Sequence, residues 1–178
     1  MDESGPTKIS VQGPVDKLET QPKRVVVEIG VGENPSIHEN SPAGKLPQTG
    51  DKYYAVELER HKTYTVKKGI ESSKGDYQAI VIRADAGSLP FPDGSVDELA
   101  FTNILNADRV EGRTQDFMNE ALRVIKIDGK ILIIESVGNI NEEYEPFLQT
   151  LQKNESLKVS KHPLPNKPWR YFYEITKI

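Results

Sequence analysis

Cysteine is absent from the 178 residues, which removes disulfides, thiolate metal sites and a cysteine nucleophile together. No stretch approaches the ~18 apolar residues of a membrane-spanning helix, and the opening MDESGPTKIS lacks the apolar centre of a secretory signal. A soluble, cytoplasmic chain is expected. Positive charge is in deficit: 23 Lys and Arg stand against 27 Asp and Glu, a net charge of -4. That balance disfavours an electrostatic grip on nucleic acid or an anionic membrane. The three histidines, His38, His61 and His162, fit no metal-ligand spacing, so no metal is expected. A hydrolase built on a G-x-S-x-G elbow is excluded, because that motif does not occur. What remains is a polar globular chain, 36% hydrophobic and 28% charged, of a length that fits one domain with a core of its own.

Residues 1–23 are rich in proline, glycine and charge, with no apolar period, and read as a flexible lead-in that could close over a site as a lid. From residue 24 to 178 strands alternate with helices. RVVVEI (Arg24 to Ile29) has the β-branched run of a strand buried on both faces and ends in Gly30-Val31-Gly32. Residues 33–51 carry three prolines and two glycines, Pro35, Pro42, Pro47, Gly44 and Gly50, which oppose a long helix there. Further strands are expected at Tyr53 to Leu58, Ala79 to Ala84, Val96 to Ile104 and Lys130 to Glu135, with helices at Glu59 to Glu71, Arg113 to Lys126 and Glu142 to Gln152. Asp128-Gly129 should stop the second of these helices. Leu157 to Lys161 and Arg170 to Lys177 complete the pattern as two strands joined by a short Pro-rich connection. The fold class is therefore α/β, a mostly parallel sheet with a C-terminal antiparallel hairpin. Trp169, Tyr171 and Tyr173 alternate and should share one face of that hairpin.

In an open α/β sheet the ligand lies at the carboxyl ends of the strands, so the loops after the first four strands form one candidate site. After the first strand, EIGVGEN offers glycines that let backbone approach a ligand; alone, it is equally a tight turn. Glu57 ends the second strand, where a carboxylate can accept from two vicinal ribose hydroxyls. After the third, Asp85-Ala86 could accept from and donate to an adenine ring, although a lone Asp there is more often a turn former. A nicotinamide dehydrogenase would use similar groups, but its GxGxxG fingerprint fails at Pro35, and Tyr64 with Lys68 lie in the wrong place for a Y-x-x-x-K pair.

Taken in order, VVVEIGVGEN, YYAVELER, ADAGSLPFPDGSVDELAFTNIL and EALRVIKIDGKILIIE resemble the motifs of the class I S-adenosylmethionine-dependent methyltransferases, over residues 24 to 136. The resemblance implies a three-layer Rossmann-like fold, S-adenosyl-L-methionine as cofactor and methyl transfer as activity. It implies that Glu28, Gly30 and Gly32 line the methionine moiety, with Asn34 standing where the family has a third glycine. Glu57 would hold the ribose, Asp85 with Ala86 would frame the adenine, and Leu58 and Leu89 are candidate walls for its ring, with ordinary packing as the other reading of each. Thr102 and Asn103 would face the transferable methyl, Asn103 positioning the acceptor, while Asp97, Glu120, Arg123 and Gly129 would serve structure. The fourth-strand loop, Asn103-Ile104-Leu105-Asn106, lacks the Asn-Pro-Pro-aromatic string of amine methyltransferases acting on nucleic acid. A small molecule or an exposed protein side chain is the expected acceptor, with a partner subunit or larger parent chain as a source of specificity. The alternative is a catalytically inactive cofactor-binding or protein-interaction domain.

Overall fold

The computed structural model describes residues 8–10, 23–31, 50–58, 78–105, 112–134, 144–164 and 167–178. Eight strands form one sheet: β1 (Lys8–Ser10), β2 (Val25–Ile29), β3 (Lys52–Glu57), β4 (Gln78–Arg83), β5 (Val96–Thr102), β6 (Ile125–Ile134), β7 (Leu157–Leu164) and β8 (Lys167–Lys177). Among the described residues two helices accompany them, α1 (Thr114–Val124) and α2 (Tyr144–Gln152). The spatial order is β1-β4-β3-β2-β5-β6-β8-β7. Strands β2 to β6 run parallel, and β8 lies antiparallel to both β6 and β7. The expected α/β sheet with a C-terminal antiparallel hairpin is thus observed. The order reverses at β2, which places the switch point between β2 and β5.

Both faces of the central strands are buried, as their unbroken apolar runs require. On one face Val27, Ile29, Leu99, Phe101, Ile131, Ile133 and Ile175 pack with Phe117, Met118, Ala121 and Val124 of α1 and Leu148 and Leu151 of α2. The α1 stripe follows from its spacing, which keeps these four residues on one side of the helix. On the other face Val26, Tyr53, Ala55, Val81, Ala100, Leu132 and Ile134 form a second, smaller cluster. Tyr173, 4% exposed, joins the helix-side core.

Two expectations change. Lys8–Ser10, inside the stretch read as a lead-in, is an edge strand antiparallel to β4. Three residues carry no readable period; the unpaired outer edge of β4 supplies the partner that makes them a strand. The second change is at the α1–β6 junction. The helix ends at Val124, not at Lys126, and β6 begins at once with Ile125. Asp128-Gly129 sits in a register shift of β6, where Val96 pairs with Ile125 but Glu98 pairs with Lys130. The turn bends the strand rather than ending the helix. Gly129 is required there, since a Cβ would lie 2.8 Å from Ile125 and 2.9 Å from the Lys126 carbonyl. The last carbonyls of α1 find donors elsewhere: Gly94 and Ser95 N–H groups reach the Arg123 and Val124 oxygens at 3.0 and 2.9 Å, and Lys177 Nζ reaches Leu122 at 2.9 Å.

The expected helix at Glu59 to Glu71 and the loop at 33–51 lie outside the described residues, apart from Gly50 and Asp51. Among the described residues, no helix is long and apolar enough to cross a membrane.

Candidate active site

The carboxyl ends of β4, β3, β2 and β5 stand side by side and carry Asp85, Glu57, Glu28 and Thr102-Asn103 in that order. Glu28 is fully buried on the face away from the two helices. Thr102 donates its hydroxyl to Glu28 Oε1 at 3.0 Å, and Tyr53 donates its hydroxyl to Oε2. Tyr53 and Thr102 flank Glu28 diagonally from β3 and β5, so the strand register builds the arrangement. A buried carboxylate needs such donors, because burying it without partners costs several kcal/mol.

Gly30 follows with φ +75°, and its N–H reaches the Val56 carbonyl at 3.2 Å. A Cβ there would lie 2.8 Å from the Thr102 carbonyl oxygen and 3.0 Å from Ile104 Cβ. Glycine is required twice over, by conformation and by the closeness of β5. Val31 is buried beyond it. Gly32 and Asn34 lie outside the described residues.

Glu57 ends β3 and is 8% exposed, its Oε1 accepting the Leu58 N–H at 2.9 Å. Leu58 is 54% exposed, an apolar side chain left open at the strand end where a planar ring could cover it. Ala86 and Leu89 are buried, and Leu89 packs within the helix-side core. Leu89 therefore serves packing.

Asp85 is more heavily engaged than its sequence position implied. Its Oδ1 accepts from Gly87 N–H at 2.7 Å and from Arg113 at 2.9 Å, while Oδ2 accepts from Arg113 at 3.1 Å. Hydrogen bonding to Arg113, opposed by desolvation, holds the Asp85 carboxyl below its ordinary value of 3.8. Arg113 was read only as the start of a helix, and Tyr53 only as a strand residue. A pairing across 28 residues has no local signal, whereas Tyr53 could have been found from its alternation register beside Glu28.

Asn103 closes β5 in the left-handed region, φ +51°, with its N–H donating to the Ile134 carbonyl at 2.9 Å and its side chain exposed. Asparagine tolerates this conformation better than most residues, and it turns the chain off the sheet at the site's rim. The residues expected to be structural are so. Asp97 accepts from Val25 N–H at 2.8 Å and from Lys126 at 2.7 Å. Glu120 accepts from Leu89 N–H at 2.6 Å and pairs with Arg123, which also reaches Asp93 and the Phe91 and Leu89 carbonyls. His162 stacks on Phe172 with ring centroids 5.1 Å apart. Among the described residues no cluster of metal-ligating side chains occurs.

The fold agrees with comparison to known proteins. Residues 28–133 match the family model described as a methyltransferase domain, and the chain belongs to that family. It is a class I S-adenosylmethionine-dependent methyltransferase. Among curated proteins no sequence matches it. Its fold is similar to that of a Methanococcus maripaludis protein assigned as an S-adenosyl-L-methionine-dependent methyltransferase, at 16% identity and a TM-score of 0.62, over 86% of this chain and 77% of that one. A SAM-dependent methyltransferase from Aquifex aeolicus matches at 15% identity and 0.58, over 85% and 80%. Geranyl diphosphate C-methyltransferase from Streptomyces coelicolor matches at 13% and 0.57, over 88% and 74%.

Proposed function

We propose that this enzyme methylates a small molecule or an exposed protein side chain by direct displacement, with its cofactor laid across the carboxyl ends of β4, β3, β2 and β5. The observation that carries this reading is the alignment of Asp85, Glu57, Glu28 and Asn103 along four adjacent strand ends. The residues suit such a cofactor. Gly30 lets β5 close against the turn after β2, Leu58 offers an open apolar wall, and the carboxylates of Glu57 and Asp85 stand at adjacent strand ends where hydroxyl and amine donors could reach them.

When bound, S-adenosylmethionine supplies an electrophilic methyl on a sulfonium, which becomes a neutral thioether as the acceptor takes the methyl and gives up its proton. The protein's task is alignment, a contribution that reaches ~7–11 kcal/mol in favourable models. Glu57 would hold the ribose hydroxyls, Ala86 and Asp85 would border the adenine, and Gly30, Gly32 and Asn34 would accommodate the methionine end. Glu28 braces Thr102 through the buried hydrogen bond, which fixes where β5 ends. Asn103, exposed at the rim, positions the acceptor. The net charge of -4 supports an acceptor other than nucleic acid.

Calorimetric titration with S-adenosylhomocysteine, followed by incubation of a cell extract with cofactor carrying a labelled methyl, tests the proposal. Binding and label in a discrete product are expected. Glu57→Ala should weaken binding by at least about tenfold, since each hydrogen bond to a charged group contributes ~1.5–3 kcal/mol. A parent chain that binds cofactor yet labels nothing would favour a binding module over an enzyme acting on these acceptors.

A further inference from the structure

A carboxylate offers about four acceptor positions, two on each oxygen. At Asp85 three are filled: Gly87 N–H and Arg113 on Oδ1, Arg113 again on Oδ2. The guanidinium has a second contact besides Asp85. Its carbon lies 4.9 Å from the centre of the Phe117 ring, and its residue sits at the N-terminus of α1, where the Phe117 N–H bonds the Arg113 carbonyl at 3.1 Å. Gly87 makes room for it, since a Cβ at that position would stand 3.0 Å from the Arg113 Nη2 and 3.3 Å from Asp85 Oδ1. A neutral amine cannot displace a two-pronged charged donor from both oxygens, because charge-assisted bonds are about twice as strong as neutral ones. One acceptor position, on Oδ2, is therefore left among these contacts, in a plane that Arg113 and Gly87 together define.

We infer that Arg113 is a positioning residue for base selection: by clamping Asp85 with a single lone pair of Oδ2 presented, it makes the site read a 6-amino purine and reject a 6-oxo purine. The inference rests on the proposed placement of the adenine at Asp85. An exocyclic amine donates to that lone pair, whereas a carbonyl at the same carbon would set oxygen against oxygen. Without Arg113, the carboxylate keeps only the Gly87 tie, can rotate about its Cβ–Cγ bond, and can turn away from an unfavourable carbonyl. The ion pair also favours the ionised, acceptor-only form of Asp85.

The test compares calorimetric affinities for S-adenosylhomocysteine and S-inosylhomocysteine in the parent, Arg113→Gln and Arg113→Lys, with thermal melts to confirm folding. The parent should prefer the adenosyl compound by on the order of 10–100-fold, the range of one hydrogen bond to a charged group. Arg113→Gln should bind the adenosyl compound more weakly and narrow the preference by about tenfold. Arg113→Lys, a point charge without the fork, should fall between. A purely structural role would weaken both ligands alike and leave their ratio unchanged, overturning the inference. Tighter adenosyl binding in Arg113→Gln would also overturn it, by making the arginine a competitor for Asp85. A parent that binds neither compound would instead overturn the cofactor placement itself.

Discussion

At the scale of single residues, the site depends on positions where ordinary side chains do not fit. Gly30 joins a positive φ to a carbonyl 2.8 Å from the place a Cβ would occupy. Gly30→Ala should therefore destabilise the protein by about 2–4 kcal/mol, the sum of left-handed strain and overpacking, read as a lowered urea midpoint. The motif glycine was legible because it followed a β-branched run, and Glu28, Glu57 and Asp85 because each closes a strand in a recognisable order. The clamp on Asp85 was not. Arg113 looks like any helix-start residue until the fold sets it beside a loop 28 positions earlier. Asn103 is legible as the residue that follows β5, but its left-handed backbone depends on how β5 meets β6 and has no signature of its own.

At the scale of elements, the connection between β4 and β5 is bound to α1 by charge. Glu120 takes Leu89 N–H and Arg123, while Arg123 extends to Asp93. The Arg123 hydrogen bond, against the cost of desolvation, holds the Glu120 carboxyl below its ordinary 4.5. A folded-state value below the unfolded one means that the stabilisation is present above 4.5 and lost as pH falls through the folded value. Glu120→Gln should thus be less stable than the parent at neutral pH by about 1–3 kcal/mol, and the gap should close on acidification below 4.5. Urea midpoints at several pH values measure this. Asp85, lowered by Arg113, works in the same direction; Glu98, raised by burial against the pull of Arg24, works in the opposite one. Comparing the two chains isolates the Glu120 share. Element boundaries were the least legible part of the sequence. Ile125 continues the helical apolar spacing, yet β6 claims it, since pairing with Val96 satisfies the backbone where α1 has run out of partners.

Across the whole molecule, the two long edges of the site-bearing strands differ. At the amino edge Arg24 bridges Asp51 at 2.6 Å and Glu98 at 2.8 Å, and Lys130 pairs with Glu174 at 3.2 Å, so opposed charges brace the bottom of the sheet. The carboxyl edge carries the candidate site. β1 changes the meaning of the N-terminal stretch. Its antiparallel run sets Lys8 opposite Ile82 and Ser10 opposite Ile80, so the chain leaves β1 toward the amino edge, where β2 also begins. Removing residues 1–10 should lower stability by about 1–3 kcal/mol for the lost ladder bonds. It should also promote association through the bared edge of β4, as calorimetry and light scattering would register.

The placement of β8 between β6 and β7 sets the order in which this protein can be built. Strand β7 is synthesised before the strand it pairs with, since its one neighbour among the described strands is β8. Until those later residues appear, β6 presents an open flank and β7 hangs without a ladder. The nascent chain thus holds a nearly finished parallel sheet whose closing step waits for translation of β8. A premature stop within β8 would therefore cost two strands rather than one and leave the newly made flank available to chaperones or to neighbouring chains.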